Sequence, residues 1–370
     1  MIPVSTPSLN GNERKYVNEA LETGWISSSG KFIEQFEEGF SSYINVSGGA
    51  CVSNGTVAIE SALFAIGIQE GDEVIMPSLT IISCAIGVLR LGAKPVLVDI
   101  DADTWNMDAQ TIEKKITKNT KAIMVVHLFG HPADMDPINE IAKKYNLIVM
   151  EDCSQAHGAE YKGEKCGSLG SIATFSFYAN KIITTGEGGM VISNNQKYIE
   201  RAKSYRNLCF IKERRFFHEE LGNNYRMTNL QAAIGCAQLE NIEQIIQKKI
   251  ENWGYYNKYL GQHKEILRLQ IQKDWAKSVY WMYCIELSEK VAIRASQLID
   301  RLKARGIETR PFFIGLHQQP VLISKGLFFG EAYPNTESAT DRCLYLPSSL
   351  ELDENLIKNI SQCVLEEIKI

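Results

Sequence analysis

The chain has 370 residues, 45% of them hydrophobic and 22% charged, with a formal net charge of −5 from acidic and basic residues mixed along its length. That is the composition of an ordinary folded protein, too long for one small core, and it excludes the basic footprint of a nucleic-acid binder. No apolar run approaches the ~20 residues that span a bilayer, and the opening MIPVSTPSLNGNERKY has no basic stretch followed by an apolar one, so a cytoplasmic protein without a signal peptide is expected.

From about residue 50 to residue 195, short apolar runs alternate with helical patterns. Ser53-Asn54-Gly55-Thr56 precedes the helical VAIESALFAIG. A Gly-Thr pair opening a helix leaves free N–H groups at the positive end of the dipole, which reads as a plain N-terminus or as a phosphate site. Strands are predicted at Val74–Pro77, Pro95–Val98, Ala122–His127 and Leu147–Glu151, with helices at Ile82–Leu91, Asp108–Ile116 and Asp136–Tyr145 between them. Short continuous apolar strands separated by helices predict an α/β fold with a mixed, mostly parallel sheet.

The last of these strands runs into Glu151-Asp152, then Cys153-Ser154-Gln155-Ala156-His157-Gly158. Open α/β sheets bind ligands at the carboxyl ends of their strands. An acid there needs a partner, and a protonated pyridine nitrogen would be one; a helix N-cap is an equal reading of Asp152. Next comes TFSFYANKIITTGEGGM, residues 174–190, an aromatic strand that meets Lys181 and then a glycine-rich turn. A desolvated lysine has a lowered pKa and attacks carbonyls more readily. GEGG lacks the Gly-Lys-Ser/Thr ending of a nucleotide phosphate loop.

Beyond residue 195 the pattern changes. Leu230–Lys249 reads as one long connecting helix, followed by a strand at Tyr280–Leu287 and helices at Ala295–Arg305 and Asn355–Glu367. A large domain at 1–249 and a smaller C-terminal α+β domain at 250–370 are expected. Nine scattered cysteines without a CxxC pair, and six histidines without ligand spacing, predict buried free thiols and no metal site.

Taken together, these segments resemble the sugar aminotransferase family of fold-type I pyridoxal-phosphate (PLP) enzymes, the DegT/DnrJ/EryC1/StrS type. The resemblance spans nearly the whole chain. It includes PSLNGNERKYVNEALETGWISSSG, GDEVIMPSLT, HLFGHPADMD, NNYRMTNLQAAIG, GIETRPFF and LHQQP. It implies that Lys181 is the Schiff-base lysine and proton shuttle, and that Asp152 keeps the ring nitrogen protonated. It places Gln155 beside the ring and Gly55, Thr56 and Ser176 on the cofactor phosphate. Asn224 would reach the phosphate of the neighbouring subunit in a homodimer with shared active sites, and His157 would lie near the ring.

The same resemblance implies L-glutamate as donor and a keto-sugar as acceptor. FSFYANKIITTGEGGM and NNYRMTN are closest to members that aminate a nucleotide-linked 4-keto-6-deoxyhexose for surface polysaccharides. An 8-oxo octulosonate is the alternative acceptor. Dehydratase relatives replace the lysine by histidine, and PLP-binding regulators carry an added DNA-binding domain; this chain keeps Lys181 and has no spare segment. It departs from the family at Ile81, where many members place a ring-stacking aromatic residue. Trp25 and Ser27–Gly30 are expected in a loop over the active site. Arg214, Arg215 and His218 read as solvated charge or as contacts to a nucleotide diphosphate, and Arg310 and His317 as residues approaching the substrate from the small domain.

Overall fold

The computed structural model describes residues 1–211, 214 and 216–368. Its central sheet has seven strands in the order Gly48–Val52, Gly189–Ser193, Ile172–Ser176, Ile148–Asp152, Thr120–Val126, Glu73–Pro77, Lys94–Val98. Gly189–Ser193 pairs antiparallel with both neighbours, and the remaining pairs are parallel. Parallel strands are covered on both faces, so they read as continuous apolar runs rather than alternating ones. Val74, Ile75 and Met76 are fully buried, as are Ile123, Met124 and Val125. The four strands expected from such runs are all present.

Two helical expectations need correction. Asp108–Ile116 is not an α-helix but two 3₁₀ turns, Ala109–Thr111 and Glu113–Lys115. Only Ile112 of this stretch is fully buried, so one anchor does not offset the cost of nucleating an α-helix. Asp108 instead accepts from Gln110 N–H and closes a tight turn. The single connecting helix is two, Asn229–Glu240 and Ile242–Leu260, broken at Asn241. Asn241 Nδ2 donates to Ala237 O at 3.3 Å, so its side chain competes with the backbone ladder at that point. The predicted strand at Tyr280–Leu287 is shorter, Tyr283–Leu287, because Tyr280 sits at positive φ.

A second, antiparallel sheet follows the order Leu267–Leu269, Tyr283–Leu287, Cys343–Leu346, Arg310–Pro311. Helices Ala295–Ala304 and Glu354–Ile368 pack on it around a core that includes Leu298, Leu302, Ile357 and Val364. Helix Ile242–Leu260 serves two cores: Ile242, Ile245 and Ile246 join the main one, Tyr256 and Leu260 the second. Among the described residues no helix is long and apolar enough to cross a membrane. The cysteines are free thiols, all buried except Cys236 and Cys363, which are partly so.

Glu151 fixes the loop beside the central strand. Its carboxylate accepts from the N–H groups of Gly167, Leu169 and Gly170 and lies 2.9 Å from His127 Nε2. His127 Nδ1 accepts from Ala133 N–H, so Nε2 carries the proton and donates. His127, Glu151 and Cys153 are the metal-capable trio among the described residues, and this network already engages the histidine and the carboxylate.

Candidate active site

Four strands of the central sheet end at one pocket of about 610 Å³. Gly48–Val52 leads to Gly55 and Thr56, and Glu73–Pro77 to Ile81 and Ser83. Ile148–Asp152 supplies Asp152 and then Gln155; Ile172–Ser176 supplies Ser176 and then Lys181. Carboxyl ends of strands carry no side-chain layer above them, so connecting loops can converge there.

One end of the pocket is a cradle for an anion. Asn54 caps helix Gly55–Ala65, its Oδ1 accepting from Val57 N–H at 3.0 Å. The N–H groups of Gly55 and Thr56 belong to the first turn and have no partner within the helix. A Cβ on Gly55 would lie 2.7 Å from Ser176 Cβ, so glycine alone lets the helix start approach that serine. The Thr56 and Ser83 hydroxyls are 2.8 Å apart.

Asp152 lines the same pocket and is 2% exposed. Its Oδ1 accepts from Ser154 N–H at 3.0 Å, and no helix follows, so it caps a turn rather than a helix. Gln155 Oε1 accepts from Phe129 N–H at 2.8 Å, which leaves its amide nitrogen as the polar atom it can offer the pocket.

Lys181 lines this pocket too. The pocket keeps the residue partly accessible, yet Nζ sits 4.2 Å from the centre of the Trp281 ring. Among the described residues Nζ has no hydrogen-bond or ion-pair partner. Burial pushes its pKa down to about 8, and the Asp152 carboxylate pulls the other way. The neutral, nucleophilic fraction therefore rises as pH climbs through that value. Capture of an added aldehyde by the cofactor-free protein is expected to accelerate from about pH 6 to about pH 9, with its midpoint near the lysine's own value. A stopped-flow rate that stays flat across this range would reject the assignment.

The wall over Lys181 comes from far along the chain. Trp281 Nε1 donates to Asn180 O at 2.6 Å, and Phe313 and Tyr345 complete an aromatic surface. Lys249, buried in helix Ile242–Leu260, donates to Trp281 O at 3.0 Å and to Ser348 O at 2.5 Å. No sequence pattern marks Trp281, Phe313 or Tyr345 as pocket residues; each follows an ordinary strand-like or turn-like context, and only tertiary contact brings it to the lysine. Ile81, 39% exposed, lines the same pocket.

Several candidates lie elsewhere. His157 is fully buried against Phe40, Phe175 and Phe177, and burial followed by the Lys181 charge pushes its pKa down to about 3. It is neutral and outside the pocket wall. Asn224 is exposed and forms a lone bridge with Asn207. Trp25 and Ser27 tie through their carbonyls to Asn229, and Ser28 and Ser29 line a separate cleft with Arg226. Arg310 pairs with Glu308, and His317 with Glu337. His218 lies 2.7 Å from Leu208 O through Nδ1, and Arg214 sits over the Phe217 ring. Arg215 is outside the described residues.

The sequence profile of the DegT/DnrJ/EryC1/StrS aminotransferase family matches residues 7–365. The chain is 43% identical to GDP-perosamine synthase of Escherichia coli O157:H7 over 99% of its length and 98% of the relative's. It is 46% identical to GDP-perosamine synthase of Caulobacter vibrioides over 86% of both chains. The solved aminotransferase TlmJ from Streptoalloteichus hindustanus superposes with a TM-score of 0.92 at 27% identity, covering 100% of this chain and 99% of that one.

Proposed function

Because this chain belongs to the DegT/DnrJ/EryC1/StrS aminotransferase family and is a PLP-dependent sugar aminotransferase, we propose that it moves an amino group from L-glutamate to a nucleotide-linked 4-keto-6-deoxyhexose for surface polysaccharide. GDP-4-keto-6-deoxymannose is the preferred acceptor. The large domain comprises residues 1–249 and the small domain residues 250–370.

Three features support the fit of the cofactor. An amine without a hydrogen-bond partner, a buried carboxylate, and free N–H groups with two hydroxyls that could cradle an anion all line one pocket. PLP supplies an aldehyde that accepts the amino group and a protonated ring that stabilises negative charge on the adjoining carbon. Lys181 Nζ would hold that aldehyde and would carry the proton that has to move during amino transfer. The Asp152 carboxylate would keep the proton on the ring nitrogen. Gly55, Thr56 and Ser176 bind the phosphate, and Gln155 presents its amide nitrogen beside the ring. Trp281 covers one side of the Lys181 amine and would keep bulk water from it.

The observation that carries the acceptor is the near full-length identity with GDP-perosamine synthases, joined to the apolar wall of Ile81, Trp281, Phe313 and Tyr345, which suits a deoxygenated sugar face. The test is a panel of oxo-sugars with glutamate, scored by release of 2-oxoglutarate. GDP-4-keto-6-deoxymannose is expected to give the highest kcat/KM, and faster turnover of an 8-oxo octulosonate would replace the proposal.

The active unit is a homodimer in which Asn224 completes the phosphate site of the partner. Neither Lys181→Ala nor Asn224→Ala homodimers should turn over, but unfolding and refolding them together should restore roughly a quarter of wild-type activity, since half the dimers are mixed and each has one intact site. Failure of two well-folded parents to complement would place Asn224 outside the site.

A further inference from the structure

Asp152 is gripped from two sides, and only one grip is backbone. While Oδ1 accepts from Ser154 N–H, Oδ2 lies 3.4 Å from Cys84 Sγ. That sulfur is in turn 3.5 Å from Thr80 Oγ1. Thr80 is 1% exposed and Cys84 0%, so water does not compete for any of these atoms.

Valence sets the direction of the chain. A carboxylate only accepts, so the single S–H of Cys84 goes to Oδ2, and the Thr80 hydroxyl must then donate to sulfur. Burial, followed by the neighbouring Asp152 charge, pushes the thiol well up, so the proton stays on sulfur at neutral pH. Cys84 lies in the first turn of helix Ser83–Arg90, and Thr80 follows strand Glu73–Pro77. The chain thus ties the loop that carries Ile81 into the pocket to the carboxylate at the end of the neighbouring part of the sheet.

We propose that Thr80 and Cys84 are positioning residues for the transamination: their hydrogen-bonded chain fixes Asp152 Oδ2 and sets how firmly it holds the proton on the cofactor ring nitrogen. The proposal rests on the reading of Asp152 given above. A thiol suits the task because it is long and a weak donor. It fixes the oxygen across 3.4 Å while leaving most of the carboxylate's charge for the ring. An alcohol at this position would have to shift towards Asp152 to make its shorter bond and would draw more charge from it.

The test uses holoenzyme reconstituted with PLP labelled with ¹⁵N in the ring, whose chemical shift reports protonation at that atom. In Cys84→Ala and in Cys84→Val the carboxylate is no longer fixed towards the ring, and this outweighs the little charge the thiol draws, so the resonance is expected to move towards the unprotonated position, with Thr80→Val moving it less. Cys84→Ser, which keeps a donor, should lie nearer the wild type than Cys84→Ala. The glutamate half-reaction of Cys84→Ala should slow about tenfold, the scale of one hydrogen bond to a charged group, with KM for glutamate unchanged. Should Cys84→Ala not fold, Thr80→Val, which preserves side-chain shape while removing the hydroxyl that donates to the thiol, decides the matter. Asp152→Asn is the control. A resonance that moves in the control but not in the Cys84 variants overturns the chain alone; one that stays put in the control overturns the reading of Asp152 as well.

Discussion

Lys181→Ala will retain PLP through its phosphate and yet lose about 10³-fold or more of its turnover, because one substitution removes both the nucleophile and the group that moves the proton. In the wild type, borohydride should reduce the C=N link and fix the cofactor on the peptide that contains Lys181. The expectation follows from the geometry: Nζ has a ring face at 4.2 Å and a carboxylate within electrostatic reach, but no partner that would hold it as a salt-bridge ammonium. Lys181→Arg should not rescue, since a guanidinium stays protonated. Adding glutamate to the wild type without sugar should bleach the yellow form in a single turnover. Mass spectrometry that found the reduced cofactor on Lys162 or Lys165 would contradict the assignment. Both of those side chains already have partners, Lys162 with Asp136 and Lys165 with Tyr43 O.

Asp152→Asn is expected to keep most of the bound cofactor and lose turnover on the order of 10²-fold or more, the scale seen when a preorganised electrostatic group is removed. The change leaves Gly55, Thr56 and Ser176 untouched, so the proposed phosphate contacts should survive it. What disappears is the negative charge that keeps the ring nitrogen protonated. An asparagine can still accept from Ser154 N–H, so the turn after strand Ile148–Asp152 should hold and the melting temperature should change little. Near-normal turnover would reduce Asp152 to a turn cap.

The parts of this site that could be read in the sequence are those carried by contiguous segments. Gly55-Thr56 at a helix start, Asp152 at a strand end and Lys181 after an aromatic strand each announce themselves within a few residues. The sheet was legible for the same reason: a strand buried on both faces must be apolar throughout. What could not be read depends on contacts between distant segments. Cys84 touches Asp152 across 68 positions, and Trp281 reaches Asn180 across 101. The break at Asn241 was hidden because the apolar period continues through it, and only the side-chain bond to Ala237 O shows why the helix stops. Asp108–Ile116 misled in the other direction, since its spacing fits a helix but a single buried residue cannot sustain one.

The aromatic wall has a consequence for recombination. Gly55, Asp152 and Lys181 all lie in the first half of the chain, whereas Trp281, Phe313 and Tyr345 lie in the last third. A chimera joined within helix Ile242–Leu260 would take Lys181, Asp152 and Ile81 from one parent and the Trp281, Phe313 and Tyr345 part of the proposed sugar wall from the other. Lys249 decides where such a junction can fall. It reaches across to Trp281 O and Ser348 O, so donor segments must begin before it or supply carbonyls in the same places. With that constraint met, exchanging the C-terminal third would test whether this proposed wall sets acceptor choice.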